Sequence, residues 1–194
     1  VIYSVLSATG DAKTHRACLF FATAGTIILR EHYKLPATFS VGTLALMVDE
    51  KNSNVVVYGR EENGLWTYDE DGFHAWVECN GWLIDFMAPI MGTALQEDGA
   101  KFEVPRHMLQ KPLASRKTEI NEIQRLGDFF CISNKALGET LVDKQSAEFS
   151  DLLHVCKTWF RKPHKSLPPL ALGGTEFQSP RPLTLKAPSI TGVW

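Results

Sequence analysis

The sequence predicts an α+β domain in which one buried helix packs against an antiparallel sheet. Three observations predict it. From Ala17 to Leu29 no side chain is charged, so this stretch reads as a helix buried on nearly all sides. Thr38 to Tyr58 holds two runs of strand-favouring residues separated by a polar turn. Residues 73 to 86, FHAWVECNGWLIDF, set Asn80-Gly81 between two apolar-rich runs, the strongest short-range signal for a type I′ hairpin.

Taken in order, Val1 to Ser7 are apolar and end a helix or strand packed on the core. Ala8 to Lys13 form a loop. Thr14 suits the N-cap of the buried helix, which runs to about Tyr33 and is broken by Lys34-Leu35-Pro36. A hairpin follows, with strands at Thr38 to Val48 and Val55 to Tyr58. Residues 60 to 72, REENGLWTYDEDG, read as a long polar loop whose Trp66 and Tyr68 either line a cleft or pin the loop to the core. Phe86-Met87-Ala88-Pro89 ends the second hairpin, and residues 90 to 100 form a short helix or loop. Lys101 to Leu113 carries Pro105 and Pro112 and is an edge strand at best. Thr118 to Cys131 fits no single element, although Cys131 itself reads as a strand or core residue. Gln145 to Arg161 is helical: Phe149, Leu152, Leu153, Cys156 and Phe160 share one face, and Lys157 and Arg161 suit its C-terminal end. Six of the ten prolines fall after residue 162. The organisation expected is a domain over residues 1–162 and a proline-rich tail or strap over residues 163–194.

The Asn80-Gly81 turn fixes a register in which Cys79 faces Trp82, Val77 faces Ile84 and Trp76 faces Asp85. Side chains alternate along each strand. Ala75, Val77, Cys79, Trp82, Ile84 and Phe86 then share an apolar core face. His74, Trp76, Glu78, Leu83, Asp85 and Met87 share the other. His74 and Asp85 become diagonal neighbours about 7 Å apart by backbone, within reach of an imidazole and a carboxylate. A carboxylate on one ring nitrogen orients a histidine as a general base, although a plain structural hydrogen bond uses the same pair. Cys18 falls in or beside the first turn of the buried helix, where free amides and the helix terminus favour a thiolate and can hold an oxyanion. By itself it would read as an inert core thiol. Joined to a His–Asp hairpin it forms a more specific constellation.

The chain order Cys18, His74, Asp85, with HAWVE followed by GW and an aspartate, resembles the transglutaminase-like branch of the papain-like cysteine-hydrolase superfamily, and within it an uncharacterised bacterial branch. The resemblance covers roughly residues 12 to 90. It implies a papain-like core, with Cys18 as nucleophile, His74 as general base and acid, and Asp85 as orienter. The chain departs from that pattern in three ways. Its His74-to-Asp85 spacing is shorter than in typical transglutaminases. The arginine-glycine-rich run of arylamine acetyltransferases is replaced by THRAC. The glutamine that papain-like proteases place before their cysteine is absent. The second oxyanion donor is therefore unassigned, with His15 or an amide near Thr9-Gly10 as candidates. Trp76 and Trp66 are candidate cleft residues, Trp76 either shielding the His–Asp pair or stacking on substrate. Glu78 is a structural residue or a backup acid.

At 194 residues the chain is long enough for a substantial core. A formal charge of −2 argues against a general nucleic-acid binder. No apolar run has the length of a membrane span. The chain begins at Val1, without an initiator methionine, so its start carries no signal-peptide reading. Four cysteines form no disulfide framework and no CxxC spacing; Cys79, Cys131 and Cys156 read as buried thiols suited to a reducing cytoplasm. The six histidines show no HExxH pattern, and neither metal nor organic cofactor is expected. The function expected is cysteine-dependent hydrolysis or transfer of an acyl group on a peptide, protein or small amide or ester. The alternatives are a non-catalytic binding or scaffold module that keeps the fold, and an isopeptide-forming or acyl-transferring partner in a biosynthetic pathway.

Overall fold

Asn80 and Gly81 both adopt positive φ, 50° and 78°, as a type I′ turn requires. The strands they join pair Val77 with Ile84, Glu78 with Leu83 and Cys79 with Trp82, the register expected from the turn. The computed structural model of the chain describes residues 1–9, 14–160, 169–174, 179–186 and 188–194. In chain order, helix α1 (Ile2–Ala8) precedes a 3₁₀ turn (Thr14–Arg16) and helix α2 (Cys18–Tyr33). Strands β1 (Thr38–Asp49) and β2 (Asn54–Tyr58) follow, then the short pair β3 (Arg60–Glu62) and β4 (Leu65–Thr67) and the hairpin β5 (His74–Cys79) and β6 (Trp82–Asp85). Next come helix α3 (Met91–Glu97), strands β7 (His107–Pro112) and β8 (Phe129–Ser133), and helices α4 (Lys135–Asp143) and α5 (Ala147–Trp159). The tail contributes β9 (Ala171–Leu172), β10 (Arg181–Pro182) and β11 (Gly192–Val193).

The architecture is α+β, with a mostly antiparallel sheet ordered β11-β7-β6-β5-β1-β2, and with β8 also paired to β1. The twelve-residue β1 is its spine. Its first half pairs with β5, and its second half with both β2 and β8. On one face, Leu19, Phe20, Phe21, Ala22, Ala24 and Ile28 of α2 pack with Val41, Ala75, Val77 and Cys79 of the sheet. Helices α1 and α5 flank α2 there, and the predicted α5 face supplies Phe149, Leu152, Leu153, Cys156 and Phe160. The helix approaches the end of the second hairpin closely: a Cβ at Gly25 would stand 2.4 Å from the Phe86 ring, so the bare glycine makes room for that aromatic.

The opposite face is buried as well. Leu44, Leu46, Val48, Val56, Trp76, Leu83, Leu109 and Phe129 form a second core with Ala88 and with Met91 of α3. The hairpin therefore has no solvated face. Trp82, expected on the apolar core face, is instead 41% exposed, beside the turn. Met87 also departs from strict alternation. The strand ends at Asp85, and Met87 packs on the α2 side.

Several local expectations change. Thr14 opens the 3₁₀ turn instead of capping α2; the cap is Ala17, which offers no side-chain oxygen. Residues 60 to 72 are not one loop, because β3 and β4 pair across Asn63-Gly64, whose φ values are 53° and 79°. Strand β7 is not an edge strand, since β11 from the tail pairs parallel with it at His107 and Met108. Helix α4 was not expected; Asn134 caps it by accepting from the Leu137 amide at 3.1 Å. The described tail residues lie across the domain. Leu183 enters the α2-side core, the Ser4 hydroxyl bridges the backbone of Lys186, and the Trp194 amide donates to the Met108 carbonyl.

Candidate active site

The start of α2 and the start of β5 bring Cys18 and His74 together. Cys18 is the first residue of α2, and the first helical bond runs from the Phe21 amide to the Ala17 carbonyl. The amides of the opening turn are thus outside the helix ladder, and the N-cap residue Ala17 has no side-chain oxygen to cap them. The 3₁₀ turn that delivers Cys18 is held by charge. Arg16 pairs with Asp98 at 2.6 Å, and His15 Nε2 with Glu97 at 2.8 Å, tying the turn to the end of α3. These contacts direct His15 to α3, so it anchors the turn and does not serve as the oxyanion donor. At Thr9 both the amide and the hydroxyl donate to the Leu6 carbonyl, which commits that amide; Gly10 lies outside the described residues.

His74 opens β5 and is fully buried. Its Nε2 donates to Asp85 Oδ2 at 2.8 Å, and Asp85 Oδ1 accepts from the Met87 amide at 2.8 Å. Both carboxylate oxygens are therefore engaged. Burial alone pulls the imidazole pKa down, but the Asp85 charge and hydrogen bond, joined by Cys18, outweigh it and raise His74 from 6.5 to about 10. Among the described residues the buried His74 Nδ1 has no hydrogen-bond partner, and Cys18 acts on the ring as a neighbour. The imidazole is thus held on one nitrogen and uncommitted on the other.

Tyr58 belongs to this site and was not singled out from the sequence. Its ring stacks on His74 with centroids 4.2 Å apart. Among the described residues its buried hydroxyl has no hydrogen-bond partner. Burial raises the phenol pKa, and Asp85 and Cys18 raise it further, so the phenol lies within electrostatic range of both. The signal that could have found it was register: β2 pairs with β1 next to the point where β1 receives His74. Trp76 is fully buried in the second core and donates Nε1–H to Glu78 Oε1 at 3.0 Å. At 0% exposure it cannot stack on a substrate, and Glu78 is its structural partner. Trp66 sits half-buried on β4 and does not line the cavity beside Cys18. Among the other thiols, burial pushes Cys131 up to about 11 and Cys156 up to about 12, which suits inert core cysteines.

One cavity of about 510 Å³ includes Cys18 in its wall. Arg16, Phe73 and the start of α5 also line it, whereas the buried His74 does not.

Because the folded pKa of His74 lies above its unfolded value, the pairing contributes fully to stability below about pH 6.5 and is lost as pH rises through about 10. Asp85→Asn keeps an oxygen for the Met87 amide and removes the charge. Urea unfolding at pH 6, 8 and 10 should show the wild type losing its stability margin over Asp85→Asn as pH rises. A margin independent of pH would contradict the pairing.

No curated protein matches the chain. A crystal structure of a chain described as genomics APC5867 is similar to it, with 31% sequence identity and a TM-score of 0.80 over 100% of this chain and 93% of that one. All of residues 1–194 match the model of a family described as "Protein of unknown function (DUF2026)". The chain belongs to that family.

Proposed function

We propose that this protein is a cysteine-dependent acyl hydrolase or acyltransferase with a transglutaminase-like, papain-like core. One observation carries the reading: a thiol at an uncapped helix start neighbours an imidazole whose far nitrogen is fixed by a fully buried carboxylate. The Cys18 proton rests on His74 Nδ1 as an imidazolium that Asp85 stabilises, which leaves the sulfur as the nucleophile. The sulfur attacks the carbonyl carbon of an amide or ester, and the carbonyl electrons move to oxygen. Free amides of the α2 opening turn stabilise that oxyanion. As the intermediate collapses, the bond to the leaving group breaks and His74 returns its proton to the departing nitrogen or oxygen. Water or an amine then attacks the thioester, giving its proton to His74 and releasing the sulfur.

We take the Tyr58 hydroxyl as the second oxyanion donor, since it is buried without a hydrogen-bond partner among the described residues and its ring stacks on His74. Four free cysteines suit a reducing compartment, and we read the protein as cytoplasmic. Among the described residues no helix is long and apolar enough to cross a membrane.

Alkylation by iodoacetamide against pH, read site by site by mass spectrometry, tests the nucleophile. Cys18 should react faster than Cys79, Cys131 and Cys156 well below the ordinary thiol pKa of about 8.5, and His74→Ala should slow it by on the order of 10²-fold or more. Slow labelling that the variant does not change would leave a non-catalytic binding module. For the donor, Tyr58→Phe should reduce acyl-enzyme formation by on the order of 10²-fold, far more than it reduces alkylation, which forms no oxyanion. Equal losses in both reactions would make Tyr58 a packing residue.

A further inference from the structure

The cavity beside Cys18 has a directional relation to the proposed chemistry. During an acyl-transfer cycle the acyl group stays bonded to the sulfur, whereas the leaving group must reach the imidazole that protonates it. Cys18 lines the cavity and His74 does not. The space therefore belongs to the acyl side.

Its walls are chiefly apolar. Leu6 of α1, Leu19 and Phe20 of α2, Phe73 before β5, and Phe149 and Leu152 of α5 converge on it. Phe20 and Phe149 meet edge to face at 5.3 Å and form a stiff aromatic corner. The polar lining is largely committed elsewhere. Arg16 is paired with Asp98, Gln145 Nε2 donates to the Leu141 carbonyl, and the Ser146 hydroxyl caps α5. Glu148 adds a carboxylate, which disfavours an anionic occupant. About 510 Å³ lies within the range of small-molecule sites.

We propose that this cavity selects substrates with a large, uncharged apolar acyl group. The proposal rests on the reading of Cys18 as the nucleophile. These walls do not select the leaving group.

The test is a series of p-nitrophenyl esters, acetate, butyrate, hexanoate and octanoate, assayed with the intact chain and with Cys18→Ser as the control. Cys18-dependent kcat/KM should rise by about two- to fourfold per added methylene until the cavity is filled, following the transfer free energy of a buried CH₂. Leu152→Trp, which fills the space, should lower the octanoate-to-acetate ratio at least tenfold. Leu6→Trp, from the opposite wall, serves the same purpose if the first variant does not fold. A flat Cys18-dependent profile, or a ratio that a folded filling variant does not move, overturns the pocket assignment and leaves the nucleophile intact. Absence of Cys18-dependent acylation with every ester, together with slow alkylation of Cys18, overturns the nucleophile and the pocket with it.

Discussion

The hydrogen bond between His74 and Asp85 is the constraint around which this protein is organised. Both groups are buried, at 0% and 1% exposure, on a sheet that has a core on each face. An unpaired charge there would be costly, and removing one member of such a pair typically costs about 3–5 kcal/mol. The pair is tolerated because both carboxylate oxygens are met, one by His74 Nε2 and the other by the Met87 amide, and the Tyr58 ring covers the imidazole. A one-residue slip of β5 against β6 would turn the side chains of one strand to the opposite face and separate the two groups. The Asn80-Gly81 turn forbids that slip, so a two-residue loop sets the geometry of the site.

A second construction places the thiol. Helix α2 is apolar on nearly all sides and locked between the sheet, α1 and α5, which makes its N-terminus a rigid platform. The preceding turn is the opposite kind of structure, polar and partly exposed, held to α3 by Arg16–Asp98 and His15–Glu97. Exposed ion pairs of this kind contribute little to stability. Their value is geometric, since they fix the direction from which the chain enters α2 and leave its opening amides uncapped. Buried packing thus sets the position of Cys18, and surface charge sets its approach.

Much of this was legible in the sequence because it depends on local rules. The NG dipeptide and period-two alternation predict the β5–β6 register and the facing of His74 toward Asp85. The uncharged run after Ala17 predicts the burial of α2, and the 3.6 period predicts the face of α5. What stayed hidden depends on partners distant in the chain. His74 and Asp85 look like residues of a solvated face until α3, the segment around Phe102 and Val104, and Trp194 cover that face. Strand β7 looks like an edge until β11 pairs with it. Tyr58 looks like the end of an ordinary strand until β1 brings it over the imidazole. Asn63-Gly64 was a local signal of the same kind as Asn80-Gly81, obscured by the charged residues around it, and His15 needed Glu97, 82 positions away, to explain its place.

Asp85 holds His74 as a strong base beside Cys18. Nitrogen-15 NMR of the histidine rings, followed from pH 5 to pH 11, measures it most directly. The His74 signal should remain imidazolium through neutral pH and titrate only near pH 10, with Nε2–H strongly deshielded by the carboxylate. A His74 ring that is neutral at pH 7 and titrates near the ordinary value of about 6.5 would contradict it.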